Sequence, residues 1–410
     1  MKRWITPTIP LLWSLALAGA PGELAAQSVS GDSGKAEAGA AAAHGATISE
    51  LLADADPYSR VRRLAQRLPD LDRDALPELR MALEGASLGM GIAEFELLVR
   101  TWARLEPLDA TRWALSLEVP RYRYPAIDAA VEVWAEVDPT EAVAQVTLAA
   151  QSAVREEAQT VQLALVRGWF RSDRPGLEAY MKGLGSGVQQ QRSILGFAIE
   201  LQRAEGSDAV ARWAASLSEE EPRYKRAAYR QVTTALAWVD PEGSERWCDA
   251  HCDGPYGRSL RTAIVRVRMR TGEDEARILR WVIGAPAGRS RDHALGSAFQ
   301  MWAQEDREAA IRWMEEKLSE DPEPPWLVAL HGPFARQLAA ISPPEAIAWA
   351  ERVESDSARQ ELLVRISRRW LREDPEAAEA WLESSTLPPA ARRRARNLKL
   401  PDYLPRADSG

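Results

Sequence analysis

Residues 370–382 read Trp-Leu-Arg-Glu-Asp-Pro-Glu-Ala-Ala-Glu-Ala-Trp-Leu, and this stretch decides the fold. It has a tryptophan at an anchor position, Trp370, an Asp-Pro pair four residues later, and a second tryptophan, Trp381, eleven residues after the anchor. An aspartate before a helix accepts hydrogen bonds from the N–H groups of the first turn. A proline fits the first helical position because the N–H group that it lacks would have no partner within the helix there. The stretch therefore predicts that one helix ends near Trp370 and another begins at Pro375.

The same frame recurs along the chain at intervals of 32 to 36 residues. Its anchors are Trp102, Trp134, Trp169, Gln202, Leu236, Arg270, Trp302, Leu338 and Trp370. Each interval holds a first helix after the anchor and a second helix that ends at the next anchor, and no segment shows the alternation of a strand. The predicted fold class is all-α, an open α-solenoid of about nine two-helix repeats with helical caps.

Tryptophan is the large hydrophobic residue that this frame uses most. Twelve tryptophans occupy the anchor position or the position eleven residues after it. We predict that they form the structural core: Trp102, Trp113, Trp134, Trp169, Trp213, Trp247, Trp281, Trp302, Trp313, Trp349, Trp370 and Trp381. A single hairpin cannot bury such a side chain, whereas stacked neighbouring hairpins can.

Five segments are predicted along the chain. They are a signal peptide (1–26), a disordered Gly/Ala/Ser-rich tether (27–46), an N-terminal helical cap (47–86), the α-hairpin repeat array (87–386) and a C-terminal capping helix with a tail (387–410). The signal peptide is indicated by Lys2 and Arg3 before an apolar stretch from Ile9 to Ala20. We expect a periplasmic or secreted protein of the bacterial envelope without a stable membrane span after cleavage; an uncleaved anchor is the alternative.

Composition and motifs narrow the classes of function. Charged residues make up 27% of the 410 residues and the formal net charge is −8, which argues against nucleic-acid binding. The sequence contains no Gly-Xaa-Ser-Xaa-Gly, phosphate-loop or His-Glu-Xaa-Xaa-His motif. We therefore predict no catalytic residue, no cofactor and no metal site.

The two cysteines, Cys248 and Cys252, lie in the segment Trp247-Cys-Asp-Ala-His-Cys. Residues four apart near the end of a helix can come within disulfide distance, and export would supply an oxidising compartment. A disulfide, two reduced structural thiols, and a metal site with His251 as a third ligand are the alternatives. The spacing matches no zinc signature, which disfavours the metal site.

A column of polar residues precedes the anchors by two positions. Its members are Arg100, Glu132, Arg167, Glu200, Thr234, Arg268, Gln300, Arg336 and Arg368. One interpretation is a ladder of ion pairs between repeats, which the Arg-Glu-Arg-Glu start favours. The other is a stripe that binds a partner. Because the second half of the column has fewer acids, we predict that Arg268, Arg336 and Arg368 meet a carboxylate-bearing partner.

The segment Asp374-Pro375-Glu376-Ala377-Ala378-Glu379-Ala380-Trp381 resembles the hairpin junction of tetratricopeptide repeats. The resemblance extends over about 285 residues. The glycine that the family has four residues after the tryptophan is replaced by Ser385 and Leu217, and its small second-helix residue is replaced by Arg365 and Tyr229. The resemblance implies binding of a protein or peptide on a concave face, without a cofactor or catalysis.

The function expected from the sequence is thus an exported helical-repeat scaffold that binds an unknown protein or peptide in the cell envelope. Two alternatives remain open. One is an α/α superhelical or toroid enzyme acting on glycans, since such enzymes use paired acids without strong local motifs. The other is a structural subunit of an envelope complex.

Overall fold

The computed structural model describes residues 46–85, 90–149 and 155–397. The predicted signal peptide and all of the predicted tether except Ala46 lie outside these residues. Within the described ranges every regular element is a helix and none is a strand, which confirms the all-α fold class. The chain divides into two compact units, the first ending at Leu201 and the second beginning at Gln202.

The first unit begins with three short helices in the region predicted as the N-terminal cap, and continues with longer helices. Their bounds are α1 Ile48–Leu52, α2 Pro57–Arg67, α3 Leu76–Glu84, α4 Ile92–Leu105, α5 Pro107–Ser116, α6 Pro120–Val137, α7 Pro139–Ala149, α8 Arg155–Arg171 and α9 Leu177–Gly183. Helix α10, Val188–Glu205, contains the division between the units.

The second unit consists of twelve further helices within the described residues. Their bounds are α11 Ser207–Ser216, α12 Pro222–Val239, α13 Pro241–His251, α14 Leu260–Arg270, α15 Glu275–Ile283, α16 Arg289–Glu305, α17 Arg307–Glu320, α18 His331–Leu338, α19 Pro343–Glu351, α20 Asp356–Glu373, α21 Pro375–Ser384 and α22 Pro389–Arg396. Helix α22 lies in the segment predicted as the C-terminal capping helix.

After six of the nine anchors a single residue separates one helix from the next. At the last junction Asp374 has φ −143° and ψ 88°, and its N–H donates to the carbonyl of Trp370 at 2.7 Å. The same backbone geometry is found at Glu106, Asp138, Asp240, Asp306 and Ser342. The recurring sequence frame therefore corresponds to a recurring backbone turn.

The capping prediction holds for most aspartates of the frame. The side chains that accept from N–H groups of the following turn are those of Asp138, Asp240, Asp274, Asp306 and Asp374. The prediction is wrong for Asp173, which has φ 51°, because the chain makes a turn there and α9 begins only after Gly176. Gly176 itself has φ 107°, a left-handed conformation that glycine adopts without strain.

Within each unit the helices that carry the anchors near their C-terminal ends contact one another in succession. In the first unit α4 packs on α6 and α6 on α8. In the second unit the succession runs from α12 through α14, α16 and α18 to α20, and α22 packs on α20. The helices that follow the anchors pack beside them, as α5 does against α4 and α6. We call the helices that carry the anchors the second helices and those that follow the anchors the first helices.

The tryptophans of the frame are buried or half-buried in both units. Buried are Trp102, Trp134, Trp169, Trp247, Trp302 and Trp313. Half-buried are Trp113, Trp213, Trp281, Trp349, Trp370 and Trp381. In contrast Trp238, which does not fit the frame, is 40% exposed. Trp326, also outside the frame, is half-buried and packs on Trp313 with ring centres 5.9 Å apart.

Candidate functional site: two grooves on the second helices

The polar column forms a ladder of ion pairs in the first unit. Glu132 is fully buried and accepts from Arg100 of the preceding second helix at 3.1 Å and from Arg167 of the following one at 2.7 Å. Arg167 lies 3.7 Å from Glu200, the next acid of the column. Arg171, outside the column, also pairs with Glu132. In this unit the structure supports the ladder interpretation and not the binding stripe.

The charges of the ladder set the pKa of its carboxyl groups. Burial alone would raise the pKa of Glu132, but the cations of Arg100 and Arg167 outweigh it, so the pKa lies below its ordinary value. Glu96 lies near the same groups, and burial raises its pKa despite the nearby Arg100. The ladder therefore keeps Glu132 ionised at neutral pH, which a carboxyl group so deeply buried could not achieve without its cations.

A groove of about 430 Å³ lies beside this ladder in the first unit. Its lining includes Arg100 and Arg104 of α4 and Val133, Glu136 and Val137 of α6. Both arginines are engaged by the protein itself, because Arg100 pairs with Glu132 and Arg104 donates to the carbonyls of Leu68 and Leu71 at 3.0 and 2.9 Å. This groove, which we call groove A, offers a mostly apolar surface.

Arg268 has a structural role, contrary to the sequence prediction. Its side chain is fully buried and pairs with Glu245 at 2.5 Å and with Glu273, while its guanidinium lies 5.2 Å from the ring centre of Trp281. Both acids lie outside the polar column, so counting acids within the column did not reveal them. The prediction that Arg268 contacts a partner is wrong, because no part of it reaches the surface.

Arg368 is also placed inside the protein. It is 5% exposed and donates to the carbonyl of Arg394 at 3.0 Å. Arg394 belongs to α22, which packs on α20. The prediction that Arg368 binds a partner is therefore wrong as well, because this side chain joins the last helix to its neighbour.

Arg336 is exposed, and it lies in a second groove of about 440 Å³ between α18 and α20, which we call groove B. The floor of groove B is apolar and buried, formed by Ala339, Leu362 and Ile366. Its polar lining consists of Arg336, Arg365, Arg369, Arg372 and Glu373. Four arginines thus share this groove with a single carboxylate.

Two of these arginines have no counter-ion. Glu373 pairs with Arg369 at 3.0 Å. Among the residues that the structure describes, the side chains of Arg336 and Arg365 have no hydrogen-bond or ion-pair partner. Partial desolvation in the groove and then the nearby charge of Arg365 lower the pKa of Arg336, whose guanidinium group nevertheless remains ionised at neutral pH. The groove therefore presents two like charges side by side with no acid to neutralise them.

Arg365, Arg369 and Arg372 were not among the residues predicted to bind a partner. They lie at i, i+4 and i+7 along α20 and so share one helical face. That spacing is the sequence feature that predicts their shared face. None of the three lies two residues before an anchor, so none belongs to the polar column. Of the predicted partner-binding residues only Arg336 lies in a groove, and the structure brings it together with arginines that had been overlooked.

Cys248 and Cys252 are joined by a disulfide at the end of α13, and both are buried. His251 does not join them as a ligand but packs on Trp247, with ring centres 4.0 Å apart. In the described ranges the structure has no cluster of three or more His, Cys, Asp or Glu side chains arranged to hold a metal ion. The disulfide closes a short loop and leaves no reactive thiol there.

No helix of the described part of the chain is both long and apolar enough to cross a membrane. Comparison of the chain with protein-family models, with curated proteins and with solved structures finds no match in any of the three.

Proposed function

We propose that this protein is an exported helical-repeat scaffold that binds a protein or peptide partner through the face formed by its second helices. The observation that carries the proposal is the pair of grooves, A and B. Groove B lies between the second helices α18 and α20, and groove A lies on the second helices α4 and α6 beside residues 65–69 of the N-terminal cap region. The two grooves have nearly the same volume. A surface of adjacent helices with grooves between them suits the binding of an extended segment of another protein.

The architecture in the proposal is an open α-solenoid of about nine hairpins. Three features support it: the anchor interval of 32 to 36 residues, the recurring one-residue junction, and the succession of second-helix contacts within each unit. The resemblance to tetratricopeptide repeats agrees with the same kind of function. Nothing in this function requires a cofactor or a catalytic group.

The proposed location is the periplasm or the exterior of a bacterial cell. Its support is the N-terminal sequence and the disulfide between Cys248 and Cys252, since such bonds form and persist mainly in oxidising compartments. Fractionation of the native cells, with detection of the full-length and the processed chain, tests this part of the proposal independently of binding.

Site-specific photo-crosslinking in cells tests the binding face. A benzoylphenylalanine is placed at Val137, the last residue of α6, or at Ile341, in the turn that follows α18; both side chains are exposed. Matched controls carry it at Arg112 and Glu376, which are exposed on first helices. We expect the second-helix positions to capture a defined protein that the controls do not. Capture only from the first-helix positions, or glycan cleavage by the purified protein, would contradict the proposal.

A further inference from the structure

Groove B has the chemistry of a site for an anion flanked by apolar groups. Its floor consists of the buried side chains Ala339, Leu362 and Ile366, and its sides carry the arginines. The unpaired guanidinium groups come from two different helices, Arg336 from α18 and Arg365 from α20. A ligand that lies in the groove would therefore have a cation on each side and hydrocarbon beneath it.

Two neighbouring cations without an acid are unfavourable, and the cost grows as water is excluded from their surroundings. Three other arginines of the polar column do have acids, because Arg268 pairs with Glu245 and Glu273, and Arg100 and Arg167 share Glu132. A carboxylate entering groove B would relieve the repulsion and accept paired hydrogen bonds from the planar guanidinium groups. The charge of groove B therefore suits a ligand that carries a carboxylate.

We propose that groove B binds a peptide segment of the partner in which Glu or Asp residues adjoin an apolar residue, with the carboxylates on Arg336 and Arg365 and the apolar side chain on Leu362 and Ile366. This inference rests on the proposed function, since it names the chemistry of the partner. The apolar floor favours such a segment over a free phosphate or a lipid headgroup, which would leave the floor uncovered.

Direct binding of a synthetic peptide tests the inference. The probe is fluorescein-labelled Gly-Glu-Glu-Leu-Glu-Glu-Gly, and fluorescence anisotropy measures its Kd for the full chain at low and moderate salt. Two further peptides replace every Glu with Gln, or the Leu with Ser. The test variant is Arg336→Gln/Arg365→Gln. Its control is Arg270→Gln/Arg289→Gln, which removes the same charge from two exposed arginines that do not line groove B.

We expect the test variant to raise the Kd by about tenfold or more, as the loss of a charge-assisted pair would do, and the control variant to change it less than about twofold, which is within the effect of screened surface charge. The Kd of the wild-type chain for the Gln peptide should be at least as high as the Kd of the test variant for the Glu peptide. The wild-type chain should also bind the Ser peptide more weakly than the Leu peptide.

Three results would overturn the inference. They are equal weakening by the test and control variants, equal binding of the Glu and Gln peptides, and displacement of the peptide by millimolar inorganic phosphate or by phosphatidylglycerol vesicles as readily as by unlabelled peptide. The proposed function fails separately, since crosslinking from Val137 or Ile341 does not depend on Arg336 or Arg365. Circular dichroism of each variant establishes that a loss of binding is not a loss of folding.

Discussion

Grooves A and B have almost the same volume, about 430 and 440 Å³, and the same kind of position between second helices, yet their charges are organised in opposite ways. In groove A the column arginine, Arg100, is followed by Glu132 at the same frame position of the next second helix. In groove B the column arginine, Arg336, is followed by Arg368, which turns away to the carbonyl of Arg394. With Arg368 at the frame position where the first unit has Glu132, Arg336 has no acid to pair with and its charge can meet a ligand.

The difference shows how a repeat protein can acquire a binding site without altering its framework. The junction residues Glu106 and Ser342, beside grooves A and B respectively, have the same backbone conformation. The aromatic core is also alike, since Trp113 packs on Trp102 at 5.2 Å and Trp313 packs on Trp302 at 6.0 Å between ring centres. The polar residues that line the two grooves differ, and this difference is the one with a consequence for binding.

The largest effect is expected where the two units are alike, in the aromatic core. Trp313 is 6% exposed, and Trp313→Ala should cost about 3–5 kcal/mol of unfolding free energy, because it removes a large side chain and leaves a cavity. Trp113→Ala should cost somewhat less, about 2–4 kcal/mol, since Trp113 is half-buried. Denaturant titration measures both. Trp238→Ala is the control and should cost less than about 1 kcal/mol.

The second-largest effect is expected from removing the charge of Glu132, the central acid of the ladder in the first unit. Glu132→Gln leaves three arginines, Arg100, Arg167 and Arg171, around a buried site without their carboxylate. We expect a loss of about 2–3 kcal/mol, below the usual range for a broken buried pair, because the arginines themselves reach solvent. Glu136→Gln on the same helix alters an exposed carboxylate and should change the unfolding free energy by less than about 0.5 kcal/mol. Equal effects of the two substitutions would mean that the ladder does not stabilise the first unit.

The pH dependence of that loss follows from the direction of the pKa shift. The pKa of Glu132 is lowered from 4.5, so the folded state binds the proton less readily than the unfolded state does. Its stabilising contribution is therefore complete above the unfolded pKa and is lost as the pH falls through the lower folded pKa. The difference in unfolding free energy between the wild type and Glu132→Gln should be constant from neutral pH down to about pH 5 and should shrink below it. A difference that grows on acidification would contradict the lowered pKa.

The frame of the fold could be predicted from sequence because its determinants are local. An Asp-Pro pair caps a helix through its own neighbours, and the two tryptophans of each interval need only the adjacent helices to become buried. The failure at Asp173 has the same cause, since Gly176 three residues later allowed a different turn. The Arg-Glu-Arg-Glu order of the column likewise indicated the ladder, because its partners lie at one frame position of successive helices.

The candidate site could be predicted only in part, because its determinants are not local. Nothing at the frame position of Arg268 indicates that Glu245 and Glu273 come from other elements to pair with it. Nor does the sequence near Arg368 show that α22 brings a carbonyl to it. Charge along a column can be read from a sequence, whereas the neutralisation of that charge depends on every element packed around it.

The smallest expected effect on stability is the one that separates groove B from groove A most clearly. Arg336→Gln/Arg365→Gln removes two cations that have no counter-ion among the described residues, so no buried acid is left unpaired. We expect the unfolding free energy to stay within about 0.5 kcal/mol of the wild type or to rise slightly, because like-charge repulsion is relieved.

The matched double variant Arg100→Gln/Arg167→Gln should instead lose about 2–3 kcal/mol, since it leaves Glu132 buried with only Arg171 as a cation. Thermal and denaturant unfolding measure both variants. Similar losses in the two would show that the arginines of groove B stabilise the fold as those of the ladder do, and the functional contrast between the grooves would disappear.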